Sequence, residues 1–169
     1  KDKIVAMPTK NIFVWSMLNL GKVQIDGLDL TVETTLTPFG KIGFVLGGTY
    51  TYQRAVDVTT PDGGTYGHQI AYTPRVSGSG KAAIETPWVD VSYSLLWSGK
   101  RYGGFQNFAE NRLPGYADHS SSASRVFKFA DKQLSLNFEV LNLLDENYAI
   151  VKWFPMPGRS IRATVGYKF

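Results

Sequence analysis

Residues 158–169 read GRSIRATVGYKF, and the reading of this stretch decides the fold. Ile161, Ala163, Val165, Tyr167 and Phe169 are apolar. Ser160, Arg162, Thr164, Gly166 and Lys168 lie between them and are small or charged, with Arg159 opening the run on the apolar parity. Alternation of period two marks a strand with one greasy and one wet face. Two aromatics close the greasy face, at a place where a soluble domain usually frays into polar residues.

The same parity recurs upstream. In QLSLNFEV the apolar residues are Leu134, Leu136, Phe138 and Val140; in VDVSYSLLW, Val89, Val91, Tyr93, Leu95 and Trp97 alternate with Asp90, Ser92, Ser94 and Leu96. Phe44, Leu46, Gly48, Tyr50 and Tyr52 share a face, as do Leu28, Leu30, Val32 and Leu36 opposite Asp29, Thr31, Glu33 and Thr35. Val23 and Ile25 fall on the other parity, which predicts a bulge or register break at Gly27. Lys3 to Ala6 is already strand-like, and weaker strands are expected over 70–84 and 119–129. The pattern predicts about eight strands, with no helical periodicity of useful length.

The connections alternate in length. TPFGK (37–41), ETPW (85–88) and ADK (130–132) are short; 54–69, 98–118 and 143–158 are long and rich in aromatics; PTKNIF near 8–13 is of middle length. An antiparallel meander puts every second connection at the same end, so one end carries tight turns and the other long loops. A β-propeller would need four strands in each ~40–50-residue period, where this chain offers about two. A transmembrane β-barrel fits: residues 159–169 at ~3.3 Å per residue, tilted by ~45°, span about 25 Å, the height of its apolar band. Trp88, Trp97, Tyr93, Tyr167 and Phe169 fall near expected strand ends, as girdle aromatics do.

Composition agrees with a β protein: 43% hydrophobic, 14% aromatic, 17 Gly and 8 Pro. The absence of cysteine excludes a disulfide framework, a thiol nucleophile and Cys-ligated zinc. The net charge of +4 is scattered rather than gathered in the stripe of a nucleic-acid binder, so no nucleic-acid partner is expected. No apolar run is long enough for a transmembrane helix. KDKIVAMPTK has no signal-peptide core and starts in mid-pattern, so the chain reads as the tail of a longer protein.

The segment NLLDENYAIVKWFPMPGRSIRATVGYKF resembles the C-terminus of TonB-dependent outer-membrane receptors. The residues that carry the likeness are Asn142, Leu143, Asp145 and Tyr148, the turn Pro157, Gly158 and Arg159, and the closing Tyr167 and Phe169. Upstream, Asn19, Gly21, Gly27 and Leu28 are similar to a further family strand, with Asp29 where Glu is commoner; YTPR (72–75), SGKRYGG and LPGY (113–116) fit the spacing. The resemblance implies an all-β chain forming the C-terminal part of a 22-stranded barrel, with residues 1–169 lacking the plug domain and the earlier strands. It implies residence in the Gram-negative outer membrane and TonB-energised uptake of a scarce nutrient such as a ferric siderophore, haem or cobalamin. The implied partners are membrane lipid, the protein's own plug and remaining strands, TonB through the plug, a small-molecule ligand, and the barrel-assembly machinery, which would read Tyr167 and Phe169. No cofactor and no catalysis are implied. Two readings from other classes stand beside it: an outer-membrane barrel enzyme, and a soluble secreted β-sandwich that binds glycans.

The candidate chemistry lies in the long loops. Arg54, Tyr66, His68, Arg101, Tyr102, Phe105, Trp153 and Phe154 combine aromatics with cations, which suits a flat or anionic ligand, although loop aromatics also pack on one another. Asp57 and Asp62 near Gly63 and Gly64 lack the ligand spacing of a calcium loop and read as a turn. His119 beside Ser120–Ser122 does not make a Ser–His pair: adjacent strand residues point apart, and His119 and Ser121 lie about 7 Å apart along the strand. That strand reads as polar lumen wall. Asp90, Asn137, Glu139, Arg162 and Lys168 are expected to face the lumen.

Overall fold

The computed structural model describes residues 3–8 and 15–169; of the side chains up to Leu20, those of Ile4 and Met17 are described. Residues 9–14, and with them most of the expected PTKNIF connection, lie outside the described residues.

The strands in chain order are β1 (Lys3–Pro8), β2 (Trp15–Leu20), β3 (Val23–Leu36), β4 (Gly43–Asp57), β5 (Val76–Glu85), β6 (Asp90–Ser98), β7 (Arg101–Tyr102), β8 (Arg112–Leu113), β9 (Tyr116–Phe129), β10 (Lys132–Leu141), β11 (Ala149–Val151), β12 (Phe154–Pro155) and β13 (Ser160–Lys168). β1 and β2 form an antiparallel pair. The main sheet has seven antiparallel strands in the order β3-β4-β5-β6-β9-β10-β13. The short pairs β7–β8 and β11–β12 sit inside the long connections, so removing them leaves an uninterrupted meander. The expected strand over 70–84 starts only at Val76, and that over 119–129 starts earlier, at Tyr116.

The pairing register carries one face through all seven strands. Leu30 pairs with Tyr50, Tyr50 with Gly78, Gly78 with Trp97 and Trp97 with Ala117. Phe127 pairs with Leu134, and Leu134 with Tyr167. This outer face is predominantly apolar and open: Val165 is 70% exposed, and among the described residues no second layer packs on it. A β-sandwich would bury such a face under a second sheet. The inner face is polar and satisfies itself. Ser92 bonds Ser122 at 2.7 Å, Thr49 bonds Ser79 at 2.8 Å, and Thr51 donates to Asp29 at 2.6 Å. The Arg162 guanidinium grips both Glu139 carboxylate oxygens, at 2.6 and 2.9 Å. Asp90, Asn137, Glu139, Arg162 and Lys168 all fall on this inner parity, as expected.

Two expectations are corrected. The β3–β4 register runs unbroken from Val23↔Asp57 to Leu36↔Phe44, so Gly27 is not a bulge. A Cβ there would come 2.6 Å from the Tyr52 carbonyl oxygen, which is why glycine stands at that place. The apolar parity switches because the upper part of β3 leaves the greasy band, and Val23 turns instead to the buried Ala55–Ile70 cluster under the loops. The second correction concerns His119 and Ser121. They pair with Leu95 and Tyr93 and so share the outer parity, while Asp118, Ser120, Ser122 and Ser124 line the inner wall. The Tyr93 hydroxyl meets His119 Nδ1 there.

The strands are also staggered. Successive partners lead from Thr34 through Leu46, Ala82, Tyr93, Ser121 and Val140 to Ile161. That line begins near the tight-turn end of β3 and finishes near the long-loop end of β13. Such a stagger is what tilted strands need to close a barrel.

Local chemistry fixes the tight turns. Thr86 Oγ1 accepts from the Trp88 and Val89 amides at 3.2 and 3.0 Å and donates to the Val89 carbonyl at 2.7 Å. Gly40 and Ala130 supply the left-handed residues of the other two turns, with φ of 67° and 51°.

Candidate functional site: the long-loop face

Connections 58–75, 99–115 and 142–159 lie at one end of the sheet and are fastened to one another. The Asn107 amide acts as a substitute strand for Gln69: its Oδ1 accepts from the Gln69 N–H at 2.7 Å and its Nδ2 donates to the Gln69 carbonyl at 2.9 Å. The Tyr72 amide donates to the Tyr102 carbonyl at 2.7 Å, and Phe105 packs on the Ala55–Ile70 cluster. Asp57 ties down the intervening turn, accepting from the Thr59 amide at 2.9 Å and from the Thr65 hydroxyl at 2.6 Å.

Arg101 joins the second connection to the third. It is 3% exposed and donates to the carbonyls of Pro114, Ala149 and Ile150 at 3.2, 2.5 and 3.2 Å. Its guanidinium lies 5.1 Å above the Tyr116 ring. Burial pushes the Arg101 guanidinium below its ordinary value, against the pull of Tyr116 and Tyr72, and burial pushes the Tyr72 hydroxyl up. Lys152 adds a second tie, donating to the Glu110 carbonyl at 2.8 Å and to Asn111 Oδ1 at 3.1 Å.

The NLLDENY segment is a set of ties of the same kind. Asn142 and Asp145 hold left-handed backbones, φ 48° and 56°, a region in which Asn and Asp are the best tolerated side chains after glycine. Asn142 Oδ1 accepts from the Glu146 amide at 2.8 Å, and its Nδ2 donates to the Glu146 and Pro157 carbonyls at 2.9 and 3.2 Å. Asp145 Oδ1 accepts from the Arg159 amide at 2.7 Å, and Glu146 Oε2 from the Ala117 amide at 3.0 Å. The Tyr148 hydroxyl donates to Asp118 Oδ2 at 2.5 Å while its ring stacks on Tyr116 at 4.2 Å. Burial, then that bond to Asp118, pushes the Tyr148 hydroxyl far above its ordinary value, so it stays a donor.

The eight candidate residues therefore divide. Arg101 and Phe105 are committed to packing, and Tyr102 holds the β7–β8 pair against Arg112. His68 is half-buried, and its Nδ1 is enclosed with no hydrogen-bond partner. Tyr66, Trp153 and Phe154 present exposed rings, Trp153 most of all at 69%, with the Lys152 ammonium 5.3 Å from its ring. Arg54 stands on the outer parity, 4.0 Å from Asp26, above the apolar band. The ties that Asn107, Tyr72, Tyr116 and Glu146 make between the loops are additional to the residues singled out in the sequence. In sequence, YTPR and LPGY mark the places of Tyr72 and Tyr116, and NLLDENY that of Glu146.

One wall of a tilted antiparallel barrel, greasy outside and polar inside, with fastened loops at one end, defines a class of membrane β-barrel. The chain belongs to the TonB-dependent receptor family: it matches the description "TonB dependent receptor-like, beta-barrel" over residues 1–143. The family is one of outer-membrane receptors and transporters. No curated protein sequence matches. Among solved structures, the fold is similar to BauA, the ferric preacinetobactin receptor from Acinetobacter baumannii (TM-score 0.72, 18% identity, 100% of this chain and 26% of that one). It is also similar to the siderophore receptor PiuA from Acinetobacter baumannii (0.69, 19%, 97% and 24%). A third is the ferric citrate transporter FecA in its unliganded form (0.71, 14%, 95% and 26%). The chain thus spans about a quarter of the length of these proteins.

Proposed function

We propose that this chain is the C-terminal part of the barrel of a TonB-energised receptor in the Gram-negative outer membrane, taking up a scarce nutrient such as a ferric siderophore, haem or cobalamin. The observation that carries the reading is the single, predominantly apolar outer face carried through seven paired strands, with the long connections among the described residues all at one end. The similar structures are named as a ferric preacinetobactin receptor, a siderophore receptor and a ferric citrate transporter, and this supports a ferric complex among those nutrients. On this reading the long loops are extracellular, the inner hydroxyls and the Glu139–Arg162 pair face the plug, and TonB acts through that plug. The barrel-assembly machinery reads Tyr167 and Phe169.

Ligand contact falls to the exposed members of the loop set, Tyr66, Trp153 and Phe154, with Arg54 at the rim and His68 beneath. Arg101, Tyr102 and Phe105 hold the platform on which those rings stand. Ligand binding to the full-length receptor tests this. A Tyr66→Ala, Trp153→Ala double variant should lose about tenfold or more in affinity at normal surface abundance, the scale of two lost aromatic anchors. Unchanged affinity would assign those rings to loop packing alone.

A further inference from the structure

Among the described strand residues of the main sheet, the charges on the outer parity are Asp26, Arg54, Arg125 and Lys132. Asp26 and Arg54 face each other near the long-loop end, and Lys132 lies in the tight β9–β10 hairpin. Arg125 is different. It stands four residues up β9 from Phe129 and pairs across with Leu136, which pairs with Val165. Among the described residues no carboxylate shares its stretch of the outer face. Its guanidinium lies 4.6 Å over the Phe127 ring, so the side chain leans toward the tight-turn end. Beside it is a shallow, almost wholly apolar groove of about 300 Å³, floored by Ala123 and Ala163 and walled by Leu136, Phe138 and Val165.

A lone cation on a lipid-facing surface is costly unless it reaches an anion or the interface. Four residues at ~3.3 Å, tilted by ~40°, place the Arg125 backbone about 10 Å inside the Phe129 level. The bend over Phe127 returns the guanidinium toward headgroup depth, as snorkelling arginines do. A fixed cation at that depth, next to a groove with room for an acyl segment, matches one chemistry: a phosphate joined to a hydrocarbon tail.

We propose that Arg125 and the Ala123–Ala163 groove bind an anionic phospholipid of the periplasmic leaflet, phosphate on the guanidinium and acyl chain in the groove. The site rests on the outer-membrane orientation proposed above, in which the tight turns are periplasmic. Phe127 holds the guanidinium in place, and the two alanines supply the depth.

The test uses the full-length receptor, stripped of lipid in detergent and titrated with phosphatidylglycerol or phosphatidylethanolamine under native mass spectrometry. The parent should prefer phosphatidylglycerol about fivefold, the scale of one basic residue beside anionic lipid. Arg125→Gln should abolish the preference, Arg125→Lys should keep part of it, and Ala163→Phe should lower retention of both lipids. No preference in the parent, or one that survives Arg125→Gln, overturns the site. Should Arg125→Gln not fold, the Arg125→Lys and Ala163→Phe results decide. A fluorophore on Val165→Cys in nanodiscs with brominated lipid separates the two levels. Quenching without a phosphatidylglycerol preference sinks the lipid site alone; absence of quenching sinks the membrane-facing reading and the site together.

Discussion

Asn142 is 3% exposed, holds a left-handed backbone and spends its amide on three bonds that close the start of the 142–159 connection. Two separate demands meet at this residue, and substitution separates them. Asn142→Gly keeps the backbone conformation and loses the bonds; Asn142→Ala loses both. Buried polar partners left unsatisfied cost about 1–3 kcal/mol, and a left-handed alanine about 1–2 kcal/mol more than glycine. Urea unfolding of the full-length receptor should therefore rank Asn above Gly and Gly above Ala, with Gly–Ala equality arguing against the backbone's part. The motif around Asn142 was legible in sequence only as a family likeness. Its mechanics were not, because Tyr148 finds Asp118 and Glu146 finds the Ala117 amide about thirty residues away along the chain. Likewise, the cation and aromatic content of Arg101 and Phe105 is visible in sequence, but burial decides that they hold loops together rather than stand free.

Strands are where the sequence was most readable, because a period of two survives any ignorance of partners. β13, β10, β6, β4 and the lower part of β3 have the faces their alternation predicts. β9 misled, since its polar residues occupy both parities and only pairing with β6 assigns His119 and Ser121 outward. Gly27 misled for a different reason: a change of apolar phase can report a change of surroundings instead of a bulge. Glycine can also serve packing, as at Gly78, which lies between Tyr50 and Trp97. Those rings approach to 5.9 Å, and a Cβ on Gly78 would sit 2.6 Å from the indole nitrogen. The faces of β13 give the direct energetic test at this scale. Val165→Arg, outward, should cost about 2–4 kcal/mol if Val165 lies near mid-bilayer, and Thr164→Arg, inward, much less. Equal costs in a folding titration of the two full-length variants would contradict a lipid-facing outer parity.

Across the molecule, seven staggered strands and three interlocked loops give a wall that is fixed at one end and plain at the other. The meander and the alternation of long and short connections follow from strand and turn signals; the stagger does not, since it exists only in the register between strands. Phe169 tests the whole-molecule role of the closing aromatics. It is 90% exposed, touching Tyr167 edge-on at 5.0 Å, so Phe169→Ala should cost well under about 1 kcal/mol of stability in detergent. If the assembly machinery reads this residue, the same change should sharply lower outer-membrane levels, whereas Ser160→Ala should not. Normal surface levels would remove the assembly role. The central claim is that this sheet crosses the outer membrane with its long loops outside. Single cysteines at Gly64, Ala109, Leu144 and Asp131, all at exposed positions, test it most directly in the full-length receptor on intact cells. An impermeant thiol reagent should label the first three and spare Asp131 until the outer membrane is opened. Labelling at Asp131 with silence at the three loop positions would invert the topology, and labelling at all four alike would contradict the membrane-spanning wall.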